Sequence, residues 1–493
     1  VLNQLGENIT LRRGPLAREG LSLVAHDLQK QSHRLAWLAE QIPHLEGTGI
    51  IYCLTKRDTE DVCEWLNSQG INALSYHGGT PPDERPQIEQ ELLTNECKVL
   101  VATKALGMGF DHPTLSFVIH FQTPGSVIEY YQQVGRAGRQ LDTSTGILLQ
   151  GIEDGDIQSY FRENAFPEEE DIAGVLSALE SSDEGLRLGD LQTDINLKRT
   201  RLENLLKNLE VDNYVIAEGS PRRWRRSATP YVPKFGHQEA ITLQREQEWW
   251  QMKDYALPET DCRMKFLQQT LDDPNPPLCG VCDQCRIDEP GHQSWFDASY
   301  DHGVAREAAE FQRGKLIEIK PRSRSGIPKN ELAEKGLALC NWGDGGWGDD
   351  VRRGKQGDHY FSDELVDALA EKFEQWHNRQ PVDWVTCVPS LNSTHLVPSF
   401  TQRLAERLSF QFIDAVRKVR ANAPQKTMQN AQHQRSNVYR AFEIVEGSWR
   451  EGSVLLVDDI VDSRWTLTEV ARLLRRKGNN SVTPVVLANG FSA

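Results

Sequence analysis

At 493 residues the chain is too long for one ordinary domain; at about 100–200 residues per domain, roughly three are expected. A formal charge of −16, 38% hydrophobic residues and a mean hydropathy of −0.55 describe a globular chain. No run nears the ~18 apolar residues that span a bilayer, so no membrane association is expected. The acidity also means that any nucleic acid must be gripped by local basic patches against a repulsive overall field. Val1-Leu2-Asn3-Gln4 shows neither an initiator methionine nor a charged-then-apolar leader, which predicts a cytoplasmic chain beginning mid-protein. Nine cysteines, five scattered and four clustered, fit a reducing compartment with one metal site better than a disulfide framework.

Residues 1–46 read as an incoming connection ending in a helix. From 47 to 165 apolar runs alternate with amphipathic stretches. In order these are a strand at 49–54, a helix at 58–69 closed by Gly70, a strand at 73–76 and a helix at 82–93. Strands at 98–102 and 117–121, a helix at 128–134 and a strand at 146–150 follow. Such alternation predicts a parallel sheet covered on both faces.

Residues 166–236 change character. Ile172, Val175, Leu176 and Leu179 mark one short helix, and 186–194 a second. Leu202, Leu205, Leu206 and Leu209 sit at i, i+3, i+4 and i+7, the apolar stripe of a third. Its polar side carries Lys198, Arg199, Arg201 and Lys207. A strand at 214–217, a turn at Gly219 and the run Arg222-Arg223-Trp224-Arg225-Arg226 complete the pattern of a small α+β winged-helix-like domain. The cysteine cluster occupies 237–290, and the charged stretch 291–335 reads as a linker. A second α/β pattern fills 336–493, with a helix at 363–377, a strand at 384–388 and a strand at 454–457 before Asp458-Asp459. The predicted class is thus a multidomain α/β chain.

Three segments of the first α/β region carry chemistry. His77-Gly78-Gly79 follows one strand, and Thr103-Lys104-Ala105-Leu106-Gly107-Met108-Gly109-Phe110-Asp111 follows another. Tyr131-Gln132-Gln133-Val134-Gly135-Arg136-Ala137-Gly138-Arg139 ends a helix with two arginines three apart. Phosphoryl transfer needs positive charge on the developing γ-phosphate, which planar guanidinium groups supply bidentately. Neighbouring glycines let the backbone approach closely. In this order the motifs resemble the second, RecA-like motor domain of superfamily-two helicases, and within them the RecQ family. The resemblance implies that Arg136 and Arg139 reach ATP·Mg²⁺ across a motor cleft, supported by Gln132. It implies that Thr103, Gly107, Met108, Gly109 and Asp111 couple the nucleotide to a DNA strand. The chain contains no G-x-x-x-x-G-K-[ST] loop and no D-E-x-H box. In the family both belong to a first motor domain, which is therefore the expected partner, in cis or in trans.

Cys262 and the run Cys279-Gly280-Val281-Cys282-Asp283-Gln284-Cys285 predict one structural Zn²⁺, because zinc in that role takes a closed tetrahedron of thiolates. Four protein ligands leave no position for catalysis, and the context matches the zinc-binding part of RecQ helicases. Arg222, Arg223, Arg225 and Arg226, with Arg199 and Arg201, would grip phosphates while Trp224 stacks on a base at a duplex end. A basic hairpin facing solvent is the alternative. In typical RecQ proteins the winged helix follows the zinc module, whereas here it precedes Cys262.

The segment 454–467 offers Asp458 and Asp459 to ribose hydroxyls and a helix start at Thr466 to a 5-phosphate. It resembles the phosphoribosyl-pyrophosphate loop of type I phosphoribosyltransferases, and 420–426 with 435–442 resemble their ComF-like branch. The family's T-T-G-A-T reads Asp462-Ser463-Arg464-Trp465-Thr466 here. Weak binding of a ribose phosphate, little transfer, and a sensing or docking role are expected. Together the resemblances imply the C-terminal part of an ATP-dependent 3′-to-5′ DNA helicase of RecQ type. Its expected setting is repair and recombination at single strands and duplex junctions, in the nucleoid of a bacterial cytoplasm. The alternative is a phosphoribosyl-transferring or nucleotide-sensing protein whose helicase remnant only binds DNA.

Overall fold

A computed structural model describes residues 19–106, 110–233, 235–257, 260–287, 296–322, 326–376, 381–391 and 394–490. They fall into two compact units, 1–165 with 235–309, and 166–234 with 310–493.

The first unit is built on β1 (Leu21–Asp27), β2 (Thr48–Tyr52), β3 (Ala73–Tyr76), β4 (Val99–Ala102), β5 (Leu115–His120) and β6 (Ser144–Gln150). All pair in parallel, in the order β1-β6-β5-β2-β4-β3. Ile50 and Ile51 of β2 and all four residues of β4 are buried. Such continuous apolar runs belong to strands covered on both faces. The parallel RecA-like sheet therefore starts at Leu21 rather than at residue 47. β1 runs alongside β6 from Leu21↔Ser144 to Asp27↔Gln150. Its partner lies far downstream, so nothing local marked it as a sheet strand.

Arg34, on helix Gln31–Gln41, is fully buried beside the C-terminal ends of β5 and β6. Its guanidinium lies 4.5 Å from the Phe121 ring centroid, donates to the Phe121 carbonyl at 2.9 Å, pairs with Glu153 and stands 3.7 Å from Asp154. Helices Phe235–Ala256 and Arg263–Thr270 belong to the same unit, and their Met252, Tyr255, Met264 and Leu267 enter its core.

In the second unit helices Glu169–Glu180, Leu188–Asp194 and Arg199–Val211 pack with the hairpin of β7 (Val215–Glu218) and β8 (Arg223–Arg226). Leu202, Leu205, Leu206 and Leu209 are buried, as their spacing requires. The remaining strands are β9 (Ile317–Ile319), β10 (Gly336–Asn341), β11 (Trp384–Cys387), β12 (Gln411–Phe412), β13 (Val416–Lys418), β14 (Phe442–Ile444), β15 (Ser453–Val461) and β16 (Ser481–Asn489). Six of them form a sheet in the order β12-β11-β15-β16-β10-β9, while β13 and β14 form an antiparallel ribbon. The stretch 291–335 is not simply a linker. It holds helix His302–Gly314, and β9 pairs antiparallel with β10 at the sheet edge. Three residues of strand are too few for alternation to reveal. Among the described residues no helix is long and apolar enough to cross a membrane.

The Arg34 site generates a pH-dependent prediction. Burial raises the Asp154 carboxyl from 3.8 to about 6, and Arg34 opposes the rise. An acid whose folded pKa is raised binds its proton more tightly when folded, so stability falls as pH rises from about 3.8 to about 6 and the full penalty is carried above that. Arg34→Met leaves that carboxylate buried without its cation, an expected loss of about 3–5 kcal/mol at pH 8. The Asp154 share of that loss should disappear at pH 5, where Asp154 is protonated. The share from Glu153, whose carboxyl is held below its usual range, should remain, because it loses the same guanidinium at both pH values. Urea melts at the two pH values check this, and equal losses would contradict it.

Candidate nucleotide, metal and nucleic-acid sites

Helix Val127–Val134 starts at Ser126, whose hydroxyl accepts from the Glu129 amide at 3.1 Å. It ends in the turn that carries the two arginines. Gly138 there has φ +73°, and a Cβ would meet Ser144 Oγ at 2.3 Å, so a side chain is excluded. Arg136 Nη1 donates to the Phe110 carbonyl at 3.1 Å, and Arg139 Nη1 pairs with Asp111 at 2.7 Å. The turn is thereby tied to the loop that follows β4. Thr103, at the start of that loop, is buried and accepts from the Ala105 amide at 3.3 Å. Gln132 is exposed, and Gly107, Met108 and Gly109 lie outside the described residues. Beneath the helix, Gln133 bonds His120 at 2.6 Å, and burial pulls that imidazole down to about 4.

Cys262, Cys279, Cys282 and Cys285 converge, with all four sulfurs within 4.8 Å of one another. Cys262 Sγ accepts from the amides of Cys279 at 3.3 Å and Lys265 at 3.4 Å, and Cys279 Sγ from Val281 at 3.5 Å. Gly280, at φ +69°, makes the turn between the second and third cysteines. The sulfurs compete for protons. Hydrogen bonds from Cys279 and Cys282 draw the Cys262 thiol far down, and the bond to Cys262 pushes the other two up. A donor set of four converging thiols with amide hydrogens on sulfur fits Zn²⁺, whose charge would stabilise all four as thiolates. Arg263, 1% exposed, holds the loop by bonds to Asp283 at 3.0 and 3.1 Å and to the carbonyls of Tyr255 and Leu257.

The basic hairpin spends its charge at home. Arg222 makes a two-oxygen contact with Glu210 at 2.7 and 3.0 Å, and Arg223 donates to the Gly185 carbonyl at 2.8 Å. Arg226 donates to Glu180 at 3.2 Å and to the Tyr214 carbonyl at 2.7 Å. Arg225 reaches Glu218 at 3.7 Å and the Asp183 carbonyl. Arg199 pairs with Glu203 at 3.0 Å, and Arg201 donates to the Phe166 carbonyl. Trp224 does not face outward to stack on a base. It is 5% exposed, packed in the domain core under the Arg222 guanidinium. In a hairpin of β period two, its neighbours Arg223 and Arg225 take the opposite face.

Asp458 and Asp459 sit near the C-terminal end of β15, a central strand. Burial and then the Asp459 charge push the Asp458 carboxyl well above its usual range, while Lys355 and Lys418 oppose the rise. Lys355 Nζ contacts Asp459 at 2.9 Å. This lysine, from helix Gly348–Gln356, escaped the sequence reading because it lies far from the acidic motif in the chain. Arg464 has φ +63°, a left-handed conformation in which glycine is at ease. Trp465 is 4% exposed, and its indole lies 4.3 Å from the Arg322 guanidinium, which donates to the Ser463 carbonyl at 2.6 Å. Thr466, on the first turn of helix Trp465–Lys477, is half-buried.

Residues 33–140 match the helicase conserved C-terminal domain, and 363–492 the phosphoribosyl transferase domain. The chain is 29% identical over 261 residues to the ATP-dependent DNA helicase RecQ of Synechocystis sp., covering 50% of each protein. To the probable ATP-dependent DNA helicase RecS of Bacillus subtilis it is 30% identical over 168 residues, 34% of each. To the RecQ-like DNA helicase BLM of Xenopus laevis it is 36% identical over 133 residues, 26% of this chain and 10% of that one. The match thus spans half or less of these relatives' length.

The metal prediction is one zinc per purified chain, lost in Cys282→Ser. Because binding energy at a structural zinc is folding energy, that variant should also be cleaved faster by protease between 240 and 290. Metal analysis decides it, and a content unaltered by the substitution would contradict the assignment.

Proposed function

Starting from a chain that joins a RecQ-related helicase C-terminal domain to a phosphoribosyltransferase-type domain, we propose that it supplies the arginine half of an ATP-driven 3′-to-5′ DNA motor. The setting we propose is DNA repair and recombination. The observation that carries the motor reading is the pair of contacts joining the arginine turn to the loop after β4, Arg136 to Phe110 and Arg139 to Asp111. Arg139 and Asp111 are 42% and 62% exposed, and ion pairs so placed contribute at most about 1 kcal/mol. The guanidinium is therefore readily exchanged from Asp111 to a phosphate. That exchange would release the loop, and with it Thr103 to Asp111, to respond along a bound DNA strand. ATP with Mg²⁺, held by a first motor domain, supplies the phosphoryl group. This chain's residues contribute positive charge at fixed positions, and Gln132 an amide on the same exposed face.

Four-thiolate zinc serves architecture, since no ligand position is left open. The basic hairpin contacts DNA through exchange of its own surface ion pairs for phosphates, without a stacked indole. In the last domain, Asp458 and Asp459 hold ribose hydroxyls weakly. The side chains of Arg464 and Trp465 take the space that small residues leave for phosphate, so a sensing or docking role fits better than transfer.

Arg139→Ala is expected to lower DNA-stimulated ATP hydrolysis about a thousandfold in a polypeptide carrying the first motor domain as well. ATP should still bind, because the phosphate-cradling groups belong to that other domain. Arg136→Ala should behave alike. Steady-state turnover alongside equilibrium nucleotide binding checks this, and undiminished turnover in both variants would contradict the arginine role.

A further inference from the structure

Within the second unit, the corner between helices Leu188–Asp194 and Arg199–Val211 is already engaged. Asn430 is 5% exposed and caps helix Ala431–Val438, its Oδ1 accepting from the amides of Gln432 at 3.1 Å and His433 at 2.9 Å. Its Nδ2 donates to the carbonyls of Gln192 at 3.1 Å and Ile195 at 2.7 Å. Asn196 reciprocates, donating to the Thr427 carbonyl at 2.8 Å and accepting from the Gln429 amide at 2.7 Å. The Thr193 hydroxyl donates to Gln432 at 3.3 Å. The fastening segment is itself tied to the acidic loop, since Gln425 Nε2 donates to Ser463 Oγ at 3.2 Å and to the Gln434 carbonyl at 2.9 Å.

In helix-turn-helix folds the second helix enters the DNA major groove with its N-terminal residues at the base edges while the first crosses the backbone, so the corner between them lies against the DNA. We propose that the phosphoribosyltransferase-like domain is a clamp that competes with duplex DNA for this corner. Asn430 and Asn196 fasten the clamp. The proposal rests on reading 166–234 as a DNA-binding domain. A duplex reaching Lys198 and the backbone of 192–196 has to displace segment 427–432, since those donors and acceptors are already paired.

The test is titration of a labelled blunt duplex into the full chain, followed by fluorescence anisotropy at several salt concentrations. Asn196→Ala/Asn430→Ala should bind about tenfold more tightly, a coupling of ordinary allosteric size. Asn196→Ala alone, which leaves the Asn430 cap of helix Ala431–Val438 in place should the double variant unfold, should do the same to a smaller extent. Hydrogen exchange of the unaltered chain supplies a second readout. Saturating duplex should speed exchange at 427–434 and slow it at 199–205. Duplex binding that leaves 427–434 unchanged, with neither variant tightened, would overturn the clamp and leave the DNA-binding reading standing. Weaker binding by the variants would make the segment part of the DNA surface and also overturn competition. No duplex binding by any form at low salt would remove both readings.

Discussion

A parallel sheet covered on both faces still has two edges, and the first unit depends on how one of them is closed. β1 is an edge strand, and its neighbour on the open side is the cysteine loop. The Asp283 amide donates to the Leu23 carbonyl at 3.0 Å, Ala25 donates to the Asp283 carboxylate at 3.3 Å, and Ser22 Oγ donates to the Val281 carbonyl at 2.6 Å. An uncovered edge would be a template for unwanted pairing. The covering loop has little apolar content of its own, so its shape rests on four sulfurs held together. A divalent cation bound by the four sulfurs would accomplish that. From the loop the order propagates inward. Arg263 joins Asp283 to the Tyr255 carbonyl, and the Tyr255 hydroxyl donates to that of Tyr130 at 3.1 Å. Tyr130 lies on the helix that ends at Arg136. Three contacts thus link the cysteine loop to the helix that leads into Arg136.

In the second unit the acidic strand end and the helix start expected of a phosphoribosyl site are both present, with Arg464 and Trp465 in the loop between them. Arg464 accepts a left-handed backbone conformation, which costs a non-glycine residue about 1 kcal/mol. Its Nη1 donates to the Lys320 carbonyl at 3.0 Å, and Arg322 lies over Trp465. Residues outside the loop thus hold it in its present shape.

What was legible in the sequence was local. The i, i+3, i+4, i+7 stripe of Leu202 to Leu209, the apolar runs of β2 and β4 and the cysteine spacing each needed only neighbouring residues, and each takes its place in the fold. Long-range pairing was not legible. β1 finds β6, β9 finds β10, and Lys355 finds Asp459 across long sequence separations that leave no periodic trace. Trp224 was misread for a related reason. Flanked by four arginines it suggested a surface platform, but strand alternation turns one face of the hairpin into the core, where the indole packs with Val215. Asn430 and Asn196 look like loop residues in the sequence, and only tertiary structure makes them partners.

The dependence of the motor sheet on the metal loop is tested most directly by hydrogen exchange at β1, residues 21–27, before and after zinc is removed by a chelator. Exchange at β1 should accelerate strongly while β2 and β4 at the sheet centre keep their protection, since only the edge loses its cover. Unchanged protection at 21–27 after complete loss of metal would contradict the account.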